Sequence, residues 1–199
     1  MKLVVATKNA HKIHELSEML AIDGLTLVSL ADVGFTGEIE ENGATFAENA
    51  LIKARAAAKF CGLPALADDS GLCVDALDGE PGIYSARYAS EDGENASDAA
   101  NVEKLLEKLK GIPSGERTAR FVCAIALVLP DGSEKTVTGA CEGVITSEIR
   151  GNGGFGYDPV FYYVPYCKTF GEATEEEKNA VSHRANAVRL IKQQLLELR

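Results

Sequence analysis

Leu3-Val4-Val5-Ala6 is an apolar run too short for a helix, and it passes at once into a pattern of a different period. The run reads as a buried first strand. Thr7-Lys8-Asn9 turns the chain into a helix near Ala10 to Leu20, with Ile13, Leu16 and Leu20 on one face. Leu25 to Leu30 returns to strand character. Thr45-Phe46-Ala47-Glu48 is a capping box. It opens a helix to about Phe60, with Ala47, Ala50, Leu51, Ala54 and Ala58 on one face, and Gly62 ends it. Pro64 to Asp75 predicts a strand interrupted by Asp68-Asp69-Ser70-Gly71, and Asn101 to Leu109 is helical. The rhythm then changes. Arg120 to Leu129 and Lys135 to Ile145 predict an antiparallel hairpin turned at Pro130-Asp131-Gly132. After a glycine-rich loop, Gly151 to Asp158, Ser182 caps a last helix with the stripe Val188, Ile191, Leu195 and Leu198. Strands alternating with helices early and a hairpin late predict an α/β fold with a mixed sheet.

A chain of 199 residues fits one domain, 1–199, with room for two lobes around a central cleft. Hydrophobic residues make up 46% and charged residues 25%, the balance of an ordinary globule with a substantial core. The formal net charge of -10 repels DNA and anionic membranes, which argues against broad nucleic-acid binding. It leaves room for a small anionic substrate, because a metal ion and a few Lys or Arg reverse the field locally. Cys61, Cys73, Cys123, Cys141 and Cys167 form no C-x-x-C pair and are odd in number, so neither a disulfide framework nor a zinc ribbon is expected. The apolar run at the N-terminus is too short for a signal peptide, and no segment approaches a membrane span. The cytoplasm is the expected compartment.

Several clusters could carry chemistry. Asp68 and Asp69 follow an apolar stretch. Such a pair at a strand end can hold Mg²⁺ with one member and use the other as a base, while Asp-Asp-Ser-Gly is equally a solvated turn. Carboxylates of Glu38-Ile39-Glu40-Glu41 could join Asp69 around a cation, or form an acidic loop on an acidic protein. Thr7 to Lys12 lies at a strand-to-helix junction, where backbone N–H groups bind phosphate, but the Walker pattern is absent. Lys53 stands one turn from Asn49, and both avoid the apolar face, pointing either into a cleft or into bulk water. His11 and His14, at i and i+3, lack a ligand pattern and read as solvated. Gly151 to Gly156 matches G-x-G-x-x-G by spacing, but Asp158-Pro159 and a β-like segment follow it, which excludes a dinucleotide fold. Phe155 and Tyr157 in that loop suit stacking on a base, or plugging the core. His183 and Arg184 could donate to a base oxygen or a phosphate, or sit on a capped surface helix. A serine hydrolase is excluded by the absence of G-x-S-x-G.

Taken in order, A-T-x-N-x-x-K at Ala6 to Lys12, E-N-A-x-x-K-A at Glu48 to Ala54, A-D-D-S-G-L at Ala67 to Leu72, P-G-x-Y-S-A-R-Y at Pro81 to Tyr88, F-G-Y-D-P-x-F at Phe155 to Phe161 and S-H-R at Ser182 to Arg184 resemble the inosine triphosphate pyrophosphatase family. The resemblance spans nearly the whole chain. It implies an elongated, two-lobed α/β fold with a central active-site cleft, a homodimer, and Mg²⁺-dependent cleavage (Mn²⁺ as a substitute) of ITP, dITP and XTP to monophosphate and pyrophosphate. By motif match, Thr7, Lys8, Asn9, Ala10, His11, Lys12 and Lys53 would contact the triphosphate. Asp69 would be base and metal ligand with Asp68 beside it, Glu40 or Glu41 would complete the metal site, and Ser70 would touch substrate. Phe155, Gly156, Tyr157, Asp158, Lys178, His183 and Arg184 would hold the nucleotide. Two other classes keep the same binding groups: a phosphohydrolase of broader specificity and a non-catalytic nucleotide sensor.

Overall fold

The computed structural model describes residues 1–197. Seven strands, β1 (Lys2–Val5), β2 (Thr26–Ser29), β3 (Ala65–Val74), β4 (Thr118–Val128), β5 (Glu134–Ile145), β6 (Phe161–Tyr163) and β7 (Lys168–Thr169), form one sheet in the order β2-β1-β3-β4-β5-β6-β7. β1 runs parallel to β2 and β3, while β6 is antiparallel to β5 and β7. The mixed α/β sheet expected from the alternation of periods is therefore present. Five helices accompany it: α1 (Ala10–Met19), α2 (Phe46–Cys61), α3 (Asp98–Lys108), α4 (Glu175–Val181) and α5 (His183–Glu197). Among the described residues, no helix is long and apolar enough to cross a membrane.

Two expectations change. The strand predicted to break at Asp68-Asp69-Ser70-Gly71 runs unbroken from Ala65 to Val74. Turn propensity yields here because β3 lies between β1 and β4 and the ladder takes up its backbone. The seven-residue α4 was not foreseen; Thr174 and Glu177 form its capping box. The two-residue β7 was not foreseen either, and other shifts are of boundary, as at α3, which begins at Asp98 rather than Asn101 behind a Ser97 cap. Leu198, assigned to the last helical stripe, lies outside the described residues.

The chain divides into two compact units. One comprises Met1–Asp69, Cys123–Gly139 and the stretch from Arg184; the other comprises Ser70–Val122 and Ala140–His183. In the first, side-chain alternation sorts the core into two clusters. Leu3, Val5, Leu66, Cys123, Ile125 and Leu127 pack with Leu16 and Leu20 of α1 and with Val188, Ile191 and Leu195 of α5. Val4, Ala6, Ala65, Ala67, Ala124 and Ala126 pack with Ala50, Ala54, Ala57 and Ala58 of α2. Strands covered on both faces explain the unbroken apolar runs. Alanine on both sides of the α2 contact lets that helix lie close to its strands.

Both ends of α2 follow from local sequence. The Thr45 hydroxyl accepts the Glu48 N–H at 3.1 Å, while Glu48 accepts the N–H of Ala44 at 2.6 Å. The cap half of the predicted box is thus present, while the return bond goes to Ala44 instead of Thr45, one residue upstream of the cap. Gly62 closes the helix at φ 66°, a conformation glycine adopts without a Cβ clash.

In the second unit a cluster of Leu72, Val74, Phe121, Phe161 and Phe170 packs under Val102, Leu105 and Leu109 of and next to α3. Tyr157 is buried in this cluster. Its hydroxyl donates to the Ser85 carbonyl at 2.8 Å, and the Ser85 hydroxyl accepts the Leu72 N–H at 2.9 Å. The glycine-rich loop is thereby tied to β3 through one serine.

Candidate active site

Asp68 and Asp69 are neighbours in a strand, so they face opposite ways. Asp68 shares a side with Leu66, toward α1 and α5; Asp69 shares a side with Ala67, toward α2. Their partners differ accordingly. Asp68 is fully buried, and its Oδ2 lies 3.1 Å from Lys12 Nζ of α1 and 2.9 Å from Arg184 of α5. Arg184, itself 1% exposed, also donates to Glu15 of α1. Burial works to raise the Asp68 pKa, but Lys12, Arg184 and Lys53 outweigh it and hold the carboxyl well below the usual range. Asp68 is thus a fixed negative charge.

Asp69 is clamped by α2. Asn49 Nδ2 donates to Oδ2 at 3.2 Å, and Lys53 Nζ to Oδ1 at 3.2 Å. Asn49 and Lys53 are one helical turn apart, so both prongs come from one face. Burial pushes the Asp69 carboxyl up, and Lys53 and Lys12 offset only part of that. A partly accessible carboxyl with a raised pKa suits a proton acceptor. Burial also opposes the charge on Lys53, but Asp69, Asp68 and Glu41 raise its pKa and keep it an ammonium.

Lys53 Nζ also lies 2.7 Å from Glu41 Oε2. Two carboxylates, Asp69 and Glu41, therefore converge on one cation already. Oxygen donors of this kind match a hard divalent ion such as Mg²⁺. Of the two glutamates left open by the sequence, Glu41 shares Lys53 with Asp69, whereas Glu40 is exposed.

The junction Thr7 to Lys12 is built as a helix N-terminus. Asn9 caps α1, accepting the Lys12 N–H at 3.2 Å, and Thr7 accepts the Asn9 N–H at 3.2 Å. Lys8, Asn9, Ala10 and His11 are exposed and Lys12 half-buried. The first turn carries no acidic residue, which leaves the positive end of the helix dipole unopposed.

The remaining predicted residues belong to the second unit. Asp158 is buried and its Oδ2 accepts both the Phe155 N–H at 2.9 Å and Lys178 Nζ at 2.7 Å. Lys178 Nζ stands 4.5 Å from the Phe155 ring centroid. The Gly156 N–H donates to Asp98 at 2.7 Å. Gly154 has φ 70°, and a Cβ there would stand 2.1 Å from an Asp158 oxygen, so only glycine fits. His183 is buried and stacks on Phe121 at 4.8 Å. Ser70 is half-buried in β3. Two side chains differ from the expectation of base contact: Tyr157 is in the core, and Arg184 is engaged by two carboxylates. The loop N–H groups of Phe155 and Gly156 are likewise taken by carboxylates of the chain. Conversely, the sequence alone assigns no role to Glu15, Gly43 or Asn49. The signal available was helical phase: Glu15 stands three residues from Lys12, and Asn49 four from Lys53.

The protein is thus of the α/β class, with a sheet strand that presents one carboxylate to each face, each met by cations from packed helices. The chain belongs to the Ham1 family, which it matches over residues 3–194. Among its relatives, the dITP/XTP pyrophosphatase of Desulforamulus reducens is 55% identical over 190 residues, covering 95% of this chain and 92% of that one. The dITP/XTP pyrophosphatase of Bacillus subtilis is 52% identical over 186 residues, with 94% and 92% covered. The Ham1 protein of Staphylococcus aureus has a solved structure with a TM-score of 0.89, 41% identity and full coverage of both chains.

Proposed function

We propose that the protein hydrolyses non-standard purine nucleoside triphosphates (ITP, dITP and XTP) to the monophosphate and pyrophosphate, clearing them from the nucleotide pool. The observation that carries this reading is the α2 clamp on Asp69, a carboxylate with a raised pKa beside Glu41 and Lys53. The names of the relatives, at about half identity over nearly the whole chain, supply the substrate class. Five free cysteines suit a reducing, cytoplasmic setting.

Each residue has a task in this reading. Asp69 accepts the proton of the water that attacks the α–β linkage. Lys12 pairs with Asp68, and an ammonium has three N–H donors to share with phosphate oxygens. The N-terminus of α1 adds its dipole to the same anion. Lys53 holds Asp69 and Glu41 together. Asp69 and Glu41 would hold Mg²⁺, which supplies charge neutralisation at the phosphates when bound. Phe155, backed by Lys178, offers a ring for the base. Preference for a 6-oxo purine over ATP follows from donors such as His183 meeting an oxygen that accepts, where adenine presents an amino group that donates.

Purified protein incubated with ITP, XTP, GTP and ATP tests this. Pyrophosphate plus IMP from ITP, abolished by excess EDTA, is the expected outcome. Stepwise orthophosphate, equal kcat/KM for ATP and ITP, or no turnover would each sink it. Asp69→Asn should lower kcat by about 10²–10⁴-fold, the scale of a lost general base, with the melting temperature nearly unchanged.

A further inference from the structure

Asn49 is 1% exposed, and its side chain is bonded at both ends. Its Oδ1 accepts the Gly43 N–H at 2.8 Å, and its Nδ2 donates to Asp69 Oδ2 at 3.2 Å. Because one end of the amide only accepts and the other only donates, the two bonds admit one orientation. Gly43 is part of the same device. A Cβ there would sit 2.7 Å from Glu48 Cβ and 2.8 Å from Asn49 Oδ1. Only glycine lets that backbone come close enough to give its N–H to the amide. Gly43 lies two residues after Glu41, so the bond anchors the segment that carries Glu41.

We infer that Asn49 is a positioning residue which, with Gly43, sets the relative placement of Glu41 and Asp69 and so shapes the site for a divalent cation. The amide links the glutamate loop on one side to the aspartate on the other, both through residues of the first unit. Lys53 alone cannot do this. It attracts both carboxylates, but an ammonium on a flexible stem imposes little direction. A planar amide locked at both ends does. Loss of a group that orients ligands without touching the ion typically costs about 10–100-fold in metal affinity.

The inference rests on the proposed pyrophosphatase reading, and its test is arranged to fail separately. Asn49→Ala and Gly43→Ala are compared with the wild type by Mg²⁺ activation of ITP cleavage and by Mn²⁺ titration of nucleotide-free protein, read by electron paramagnetic resonance. The half-activating Mg²⁺ concentration and the Mn²⁺ Kd should both rise about tenfold or more. KM for ITP at saturating Mg²⁺ should move by less than about threefold, since neither residue is placed on the nucleotide. Asn49→Asp is nearly isosteric and keeps the acceptor for Gly43 but not the donor to Asp69, so it reports on one prong if the other variants do not fold. Its Mn²⁺ affinity should also change. Folded variants with wild-type Mn²⁺ affinity would overturn the inference, as would lower melting temperatures unaccompanied by any change in metal response. If the wild type leaves ITP intact, the parent reading fails while the Mn²⁺ titration still decides the role of Asn49. Wild-type protein that binds no Mn²⁺ refutes it.

Discussion

Arg184 shows how burial changes what a side chain is for. Its guanidinium meets Asp68 on one edge and Glu15 on the other, and all three are shut away from water. Arg184→Ala should therefore destabilise the fold by about 3–5 kcal/mol, the scale of leaving buried charge uncompensated. Arg184→Lys should recover little, since a point charge cannot span two carboxylates. Chemical denaturation of the variants checks both. A well-folded Arg184→Ala with only an altered ITP/ATP ratio would return the residue to base recognition. Tyr157 poses a related case. Tyr157→Phe keeps the ring but leaves the Ser85 carbonyl without its buried donor, so it should cost about 1–3 kcal/mol. Its KM for ITP should change less than that of Phe155→Ala, because the Phe155 ring is only half-buried beside Lys178, whereas Tyr157 lies in the core.

At the scale of elements, glycines separate conformational cost from packing cost. Gly62 ends α2 at φ 66° in open space, so Gly62→Ala should cost only about 1 kcal/mol, all of it backbone strain. Gly143 of β5 has no such φ, but a Cβ there would lie 2.6 Å from the Phe161 ring and 2.7 Å from the Tyr162 carbonyl. Gly143→Ala should cost about 1–3 kcal/mol or more, since ring and strand must both move. Urea midpoints of the two variants measure the difference, and equal losses would contradict the packing account. The elements themselves were largely legible beforehand. Short valine-rich runs, a Thr-x-x-Glu cap and a terminal glycine act within a few residues and need no tertiary help. β3 was the exception. Its Asp-Asp-Ser-Gly segment has turn propensity, and only flanking strands and cations on both faces keep it extended.

For the whole molecule, exposure ranks the five thiols. Cys123 is fully buried, Cys141 nearly so, and Cys167 exposed. Iodoacetamide at pH 8 should label Cys167 first, and Cys123 and Cys141 only in denaturant, as peptide mass spectrometry would show. Burial, with a smaller push from Glu142, raises the Cys141 thiol to about 12. An unfolded thiol ionises near about 8.5. The native state therefore keeps a proton that the unfolded chain releases, and this contribution is full below the unfolded pKa and declines as pH climbs toward 12. Denaturation midpoints should fall across that window, and less steeply in Cys141→Ala.

The sequence by itself determined the α/β class, most helix and strand positions, and the six motifs in which nearly all the site residues lie. These depend on period, caps and residue chemistry, which are local. Only the tertiary structure decided how those residues divide their work. Alternation along β3 sends Asp68 toward α1 and α5 and Asp69 toward α2, which turns an apparent carboxylate pair into a buried charge and a carboxylate clamped by Asn49 and Lys53. Glu41 rather than Glu40 shares Lys53 with Asp69, and Arg184 closes on Asp68 across 116 positions of chain. Such pairings depend on which faces the packed helices present to the sheet, and no span of neighbouring residues encodes that.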